Sequence, residues 1–148
     1  SPLEMASAYA TLANGGKRVP PVAVLRILGN DGRVIEAYHP PEGQQVISPQ
    51  HAYLITSILS DNEARTDSDP NNVLRLSRPA AAKTGTTDRR RDSWFVAMRP
   101  RLITVVWVGT DGNRETGLYG ATGALEVWRA IDARTPAVWR SGSLEAQR

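Results

Sequence analysis

Arg78-Pro79-Ala80-Ala81-Ala82-Lys83-Thr84-Gly85-Thr86-Thr87, followed directly by Asp88-Arg89-Arg90-Arg91-Asp92-Ser93-Trp94-Phe95-Val96, is the stretch on which the reading of this chain turns. Small residues lead into a cation, a hydroxyl, a glycine and a second hydroxyl. That is the composition of a strand that brings its backbone close to a ligand and offers it positive charge. Period-two alternation places Thr84 and Thr86 on one face, so two hydroxyls can bond one carboxylate, and it puts Lys83 on the other. Gly85 has no side chain and permits close approach. The stretch reads as one wall of an anion-holding cleft. The plain alternative is an edge strand whose lysine is only solvated.

Working outward, residues 80–87 are the first of three strand candidates. Residues 93–98 follow after the charged turn 88–92, and residues 102–108 after Arg99-Pro100-Arg101. Connections this short force antiparallel neighbours, because a parallel crossover needs about a dozen residues. Ile103-Thr104-Val105-Val106-Trp107-Val108 is nearly continuously apolar, which predicts a strand covered on both faces. Residues 109–123 are a glycine-rich loop. Residues 124–131 form a closing helix that lays Leu125, Trp128 and Ile131 on the sheet. Arg89, Arg90 and Arg91 read as a solvated hairpin tip, and Asp92, Trp94 and Phe95 as turn-capping and core residues.

Toward the N-terminus, Ser1-Pro2-Leu3-Glu4 has the signature of a helix start: a cap, a proline at the first helical position and an acid in the first turn. The helix runs over residues 3–13 and stops at Asn14-Gly15-Gly16. It has no obvious partner within the chain, which predicts an exposed apolar face. A chain that opens inside a helix cap is expected to be a fragment. Residues 22–28 and 33–38 flank Asn30-Asp31-Gly32 as a two-stranded flap. Ser48-Pro49 caps a helix over 48–60 whose apolar face, with Tyr53, Leu54, Ile55, Ile58 and Leu59, belongs in the core. Residues 61–77 are polar and turn-rich and read as a surface loop. The fold class that follows is α+β, an antiparallel sheet with packed helices.

Composition narrows the function classes. A chain of 148 residues, 41% hydrophobic and 22% charged, can bury one core. It has no cysteine, so neither a disulfide framework nor a thiolate metal site can be argued. His39 and His51 lie in unrelated segments with no carboxylate at ligand spacing, and no metal or cofactor is expected. A net charge of +3 is too small to mark a nucleic-acid surface, and the aromatics do not alternate with basic residues as a stacking platform requires. No apolar run is long enough to span a membrane.

The triplet Lys83-Thr84-Gly85 is the third signature of serine acyl-transfer enzymes, the penicillin-binding proteins and class A β-lactamases. More of the chain resembles the C-terminal half of the transpeptidase domain of class A, bifunctional penicillin-binding proteins. Residues 1–16, ending in Ala13-Asn14-Gly15-Gly16, are similar to that family's helix. Residues 78–87 with Asp92-Ser93-Trp94-Phe95-Val96-Ala97 are similar to its third motif and following strand, and Val105-Val106-Trp107-Val108-Gly109 to its next strand. A β-lactamase shares the triplet but not the Ala-Asn-Gly-Gly helix. The resemblance implies that residues 1–136 are the C-terminal portion of a penicillin-binding, serine β-lactamase-like transpeptidase domain, with 137–148 a tail.

It further implies a D,D-transpeptidase that cross-links peptidoglycan stem peptides through a serine acyl-enzyme and binds β-lactams. Lys83 and Thr86 would be the catalytic residues. Lys83 supplies positive charge, and the Thr86 backbone N–H is one donor of the oxyanion hole. Thr84, Gly85, Thr86 and Thr87 would bind substrate, the strand edge pairing with its backbone. The family's nucleophile lies in Ser-x-x-Lys, yet this chain has two lysines, Lys17 and Lys83, preceded at that spacing by Asn14 and Ala80. The serine is therefore expected on polypeptide before Ser1, with the missing N-terminal half of the domain, a glycosyltransferase domain and a membrane anchor. That places the parent at the extracytoplasmic face of the bacterial membrane and leaves the fragment soluble and inactive alone. The competing reading is a non-catalytic peptidoglycan- or partner-binding module in which the strand only docks a carboxylate.

Ser60-Asp61-Asn62 spells the family's second signature, Ser-x-Asn. It ends an apolar helix, where such side chains satisfy loose backbone groups, and it precedes Lys83 too closely. These residues are read as a helix end.

Overall fold

The structure is a computed structural model that describes residues 1–136. The tail 137–148 proposed from the sequence lies outside the described residues. Helix α1 (Pro2–Ala13) begins with a complete capping box: the Ser1 hydroxyl accepts from the Glu4 N–H, and the Glu4 carboxylate returns to the Ser1 amino group. It ends where Gly15 and Gly16 take positive φ. A Cβ on Gly16 would stand 2.0 Å from the Ile47 carbonyl oxygen, so the chain can turn here only as glycine. The Gly16 carbonyl accepts from the N–H of Val46 and of Ile47. That crossing brings β1 (Lys17–Arg18) beside β4 (Gln44–Gln45).

Between them stands the expected flap, β2 (Arg26–Leu28) antiparallel to β3 (Val34–Ala37). Its strands are shorter than the apolar run suggested, and both are exposed along their length. Helix α2 (Pro49–Ser60) starts at Ser48, whose hydroxyl accepts from the His51 N–H. Its expected burial is overturned. The helix buries Ala52 and Thr56, while Leu54 is 55% and Ile58 64% exposed. The reason is steric: the row Ala52-Thr56-Ser60 is small and lets the helix lie close on the sheet, with the Thr56 and Ser60 hydroxyls donating back to the carbonyls four residues earlier.

Within the stretch read as loop, Asn62–Thr66 forms α3. Asp61 caps it, accepting from the N–H of Glu63 and Ala64, and Asp67 ends it in the left-handed region. Five residues carry too little periodicity for a helix to be recognised.

The sheet that positions the site is the meander β5 (Ala81–Thr86), β6 (Ser93–Arg99) and β7 (Leu102–Val108), all antiparallel with β6 central. Cross-strand register puts Ala82, Thr84, Thr86, Ser93, Phe95, Ala97 and Val106 on one face. Helix α4 (Ala124–Arg134) seals the inner part of that face with Ala124, Leu125 and Trp128, the Phe95 and Trp128 rings meeting at 5.0 Å. Ile131 does not join them; it is exposed, one turn beyond the contact. Val96 and Met98 point the other way and are buried as well, so the sheet is covered on both sides. Helix α1 contributes to this cover, lying against β6, β7 and α2; it has the partner that the sequence did not reveal. The covering of β7 is incomplete, since among the described residues it is an edge strand with Trp107 exposed.

Beneath the sheet Arg99, 4% exposed, pairs with Asp132 at 3.0 Å and lies over the Trp128 ring, tying the end of β6 to α4.

Candidate active site

Among the described residues strand β5 is an edge strand, and the direction of its backbone groups follows from one hydrogen bond. The Thr87 N–H donates to the Asp92 carbonyl at 3.1 Å, and these two residues continue the register Thr86↔Ser93. In an antiparallel ladder, bonded and non-bonded pairs alternate. Gly85/Trp94 and Lys83/Val96 are then the bonded pairs, while Thr84/Phe95 and Thr86/Ser93 are not. The N–H and C=O of Thr84 and Thr86 consequently point away from β6, toward the free edge. Lys83 joins them there: its exposed side chain curls so that Nζ donates to the Thr84 carbonyl at 2.8 Å.

A cavity of about 270 Å³ opens beside this edge, lined by Ala82, Lys83 and Thr84 of β5 and by Ile58, Leu59, Ala64, Arg65 and Leu74. Lys83 and Thr84 thus border one space although their side chains leave opposite faces of the strand. Arg65 is its second cation. Burial pulls the Arg65 guanidinium below its ordinary pKa, with the nearby Asp61 charge opposing. Its Nη1 donates to Asn62 Oδ1 and its Nη2 to the carbonyls of Leu59 and Ala80. Arg65 therefore fastens α2 and α3 to the start of β5 and holds the cavity wall in place.

Thr86 stands apart from this cavity. Its Oγ1 accepts the Gly120 N–H at 2.9 Å, from the glycine-rich loop, whose part here no motif announces. The same loop is stitched to β6 through Ser93, whose buried hydroxyl donates to the Tyr119 carbonyl and accepts from the Ala124 N–H. Thr87 lies past the strand, and its hydroxyl is engaged by Asp92: it donates to Oδ2 at 2.8 Å and accepts the Asp92 N–H at 2.9 Å.

The arginine tip is more than a solvated turn. Arg89 and Arg90 take positive φ, the Arg90 carbonyl accepts both the N–H and the hydroxyl of Thr116, and its guanidinium lies 5.3 Å from the Tyr119 ring centre. At Ser60-Asp61-Asn62 the side chains close the chain on itself. Ser60 donates to Thr56, Asp61 caps α3, and Asn62 exchanges two hydrogen bonds with the Leu76 backbone. Among the described residues no cluster of ligating side chains could hold a metal ion.

An edge strand with outward N–H groups, a cation curled against it and a glycine at its centre can pair with an extended peptide and hold an anion beside it. Residues 1–126 match the family described as the penicillin binding protein transpeptidase domain. The chain is 33% identical to penicillin-binding protein 1B of Escherichia coli over 137 residues, covering 92% of this chain and 16% of that protein. It is 37% identical to penicillin-binding protein 1B of Vibrio cholerae over 128 residues, covering 86% and 16%. Among solved structures, penicillin-binding protein 1A from Haemophilus influenzae superposes with a TM-score of 0.75 at 25% identity, over 92% of this chain and 27% of that one. PonA1 from Mycobacterium tuberculosis gives 0.71 at 30% identity, over 94% and 38%. Penicillin-binding protein A of M. tuberculosis, in its imipenem acyl-enzyme complex, gives 0.66 at 26% identity, over 89% and 30%. This chain belongs to the penicillin-binding protein transpeptidase family. It spans about a sixth of the length of the curated relatives it matches, 16% in both penicillin-binding proteins 1B.

Proposed function

We propose that this chain supplies one wall of the active site of a peptidoglycan D,D-transpeptidase whose nucleophilic serine lies on other parts of a longer protein. The observation that carries the reading is the outward N–H of Thr86 on a free strand edge that also presents Lys83 and Thr84. In the reaction, a serine oxygen attacks the carbonyl of the D-Ala-D-Ala bond of a stem peptide. The Thr86 N–H stabilises the oxyanion that forms. The bond to the terminal D-Ala breaks, and that residue leaves as an amine after taking up a proton. An amine of a neighbouring stem peptide then attacks the ester, forming the cross-link and returning the serine. The edge of β5 pairs with the stem-peptide backbone, the Thr84 and Thr86 hydroxyls bind its carboxylate, and Lys83 adds positive charge. Gly85 and Thr87 shape the strand at the point of closest approach.

β-Lactams enter by the same route, and their carboxylate takes the place of the stem peptide's. Because peptidoglycan lies outside the cell membrane, the working protein belongs on that side. Among the described residues no helix is long and apolar enough to cross a membrane, so attachment falls to other segments of the parent.

The test is to label the longer protein with a fluorescent penicillin and map the adduct. One adduct is expected, on a serine of a Ser-x-x-Lys motif outside this chain, and it should be prevented by excess unlabelled penicillin. A parent reading frame that encodes no such motif would leave the strand as a carboxylate-docking surface without chemistry.

A further inference from the structure

We infer that Gly120 is a positioning residue for Thr86. Its N–H fixes the Thr86 hydroxyl as a donor aimed at the free edge of β5, so the inference rests on the transpeptidase reading above. A threonine hydroxyl carries one proton and can accept at its oxygen. With the Gly120 N–H on Oγ1 at 2.9 Å, the hydroxyl proton is directed elsewhere. The outward side of the strand is where a carboxylate would receive it.

Two features make this contact specific to Gly120. Its backbone rests on the ladder itself: a Cβ there would stand 2.7 Å from the Gly85 oxygen, 2.8 Å from the Trp94 oxygen and 2.9 Å from the Gly85 nitrogen. Those atoms belong to rigid backbone, so any side chain would push the loop off the strand and draw the N–H away from Thr86. The peptide is also fixed from behind. The Gly120 carbonyl accepts from the Leu125 N–H in the first turn of α4, the Tyr119 N–H donates to Thr122 Oγ1, and Ser93 pins the Tyr119 carbonyl. Ser93 sits directly across the ladder from Thr86. The hydroxyl that would touch substrate and the hydroxyl that anchors the loop are thus opposite one another on the same face.

The experiment measures acylation rate constants in the longer protein, using a penicillin free acid and its methyl ester as probes. Gly120→Ala should slow the free acid about tenfold or more, since the affected hydrogen bond is to a charged group, and should slow the ester much less. In a Thr86→Val background Gly120→Ala should add little, whereas Thr86→Ser, which keeps the hydroxyl, should restore the sensitivity. Ser93→Ala, which loosens the loop without adding bulk, provides the same comparison if Gly120→Ala does not fold. Equal slowing of acid and ester, or equal slowing with and without the Thr86 hydroxyl, would reduce Gly120 to a packing glycine and overturn the inference while the transpeptidase reading stands. A wild-type parent that forms no acyl-enzyme with either probe would overturn both.

Discussion

Asp92 accepts the indole N–H of Trp107 at 2.9 Å, joining the turn that follows β5 to the far strand of the sheet. Its other oxygen accepts the Thr87 hydroxyl, so one carboxylate holds both ends of the three-stranded meander at the level of the candidate site. These two hydrogen bonds, Trp107 first and Thr87 second, lower the Asp92 pKa; the Arg91 charge adds slightly and desolvation opposes.

The sign of the pH dependence follows. A carboxyl whose folded pKa lies below its unfolded value of about 3.9 contributes stability above that value and loses it as pH falls through the folded pKa. Asp92→Asn should therefore be less stable than wild type at pH 7, and the gap should narrow at a pH below the ordinary carboxylate range, as the folded Asp92 takes up its proton. Urea unfolding followed by tryptophan fluorescence at the two pH values measures this. A gap of constant size would show that the Asp92 charge is irrelevant to the sheet.

The buried end of β6 should be more sensitive. Arg99 and Asp132 pair with side chains only 3% and 13% exposed, and removing one partner leaves a charge in a poorly solvated place. Asp132→Ala should cost about 3 kcal/mol, more than Asp132→Asn, which can still accept a hydrogen bond. Arg78 lies 3.6 Å from the same carboxylate but is half exposed, so Arg78→Ala should cost under about 1 kcal/mol. Equilibrium denaturation ranks the three variants, and the reverse order would contradict the assignment of the pair as a buried strut.

How much of this could be read in the residues depended on the range of the interaction. The meander was legible because its turns are short and its strands continuous. The caps at Ser1 and Ser48 were legible because they are local. The exposure of α2 was not: apolar content at Leu54, Ile55 and Ile58 suggests burial, while the face that meets the sheet is the small row Ala52-Thr56-Ser60. Nor was the Thr86 contact, because it joins residues 34 apart and the signal at Gly120 is an absence of side chain inside a glycine-rich loop. The outward direction of the Thr86 N–H needed the Thr87–Asp92 rung to set the phase of the ladder, which side-chain alternation does not supply.

The exposed apolar surface carries its own prediction. Leu54 and Ile58 on α2, together with Leu25 and Ile35 on the flap, are each more than half exposed, and apolar surface in patches promotes association. The 148-residue chain on its own should show a size in solution that rises with concentration. The double variant Leu54→Glu, Ile58→Lys should reduce that rise with no loss of helix by circular dichroism. Analytical ultracentrifugation decides; a strictly monomeric wild-type chain would count against the patch.

The last prediction concerns chemistry and rests on the two lysines. Acylation by a β-lactam needs a serine activated by a nearby base, and neither Lys17 nor Lys83 is preceded by serine at the required spacing. Ser60, in the tempting Ser60-Asp61-Asn62, donates its hydroxyl to the Thr56 carbonyl at 2.8 Å. That places it in a helix-end hydrogen bond rather than beside a base. Ser93 is buried and spends its hydroxyl on the Tyr119 carbonyl. The outward N–H of Thr86 and the threonines proposed to bind a carboxylate then have no reacting atom to act on, so the chain alone should be inert. Incubated with a fluorescent penicillin and weighed by intact mass spectrometry, it should gain no adduct. In the longer protein, Thr86→Val should slow acylation by about tenfold or more, because losing a hydrogen bond to a charged group costs roughly 1.5–3 kcal/mol. A stoichiometric adduct on the isolated chain, above all on Ser60, would mean that the wall described here carries a nucleophile of its own and that the division of the active site between two stretches of polypeptide is wrong.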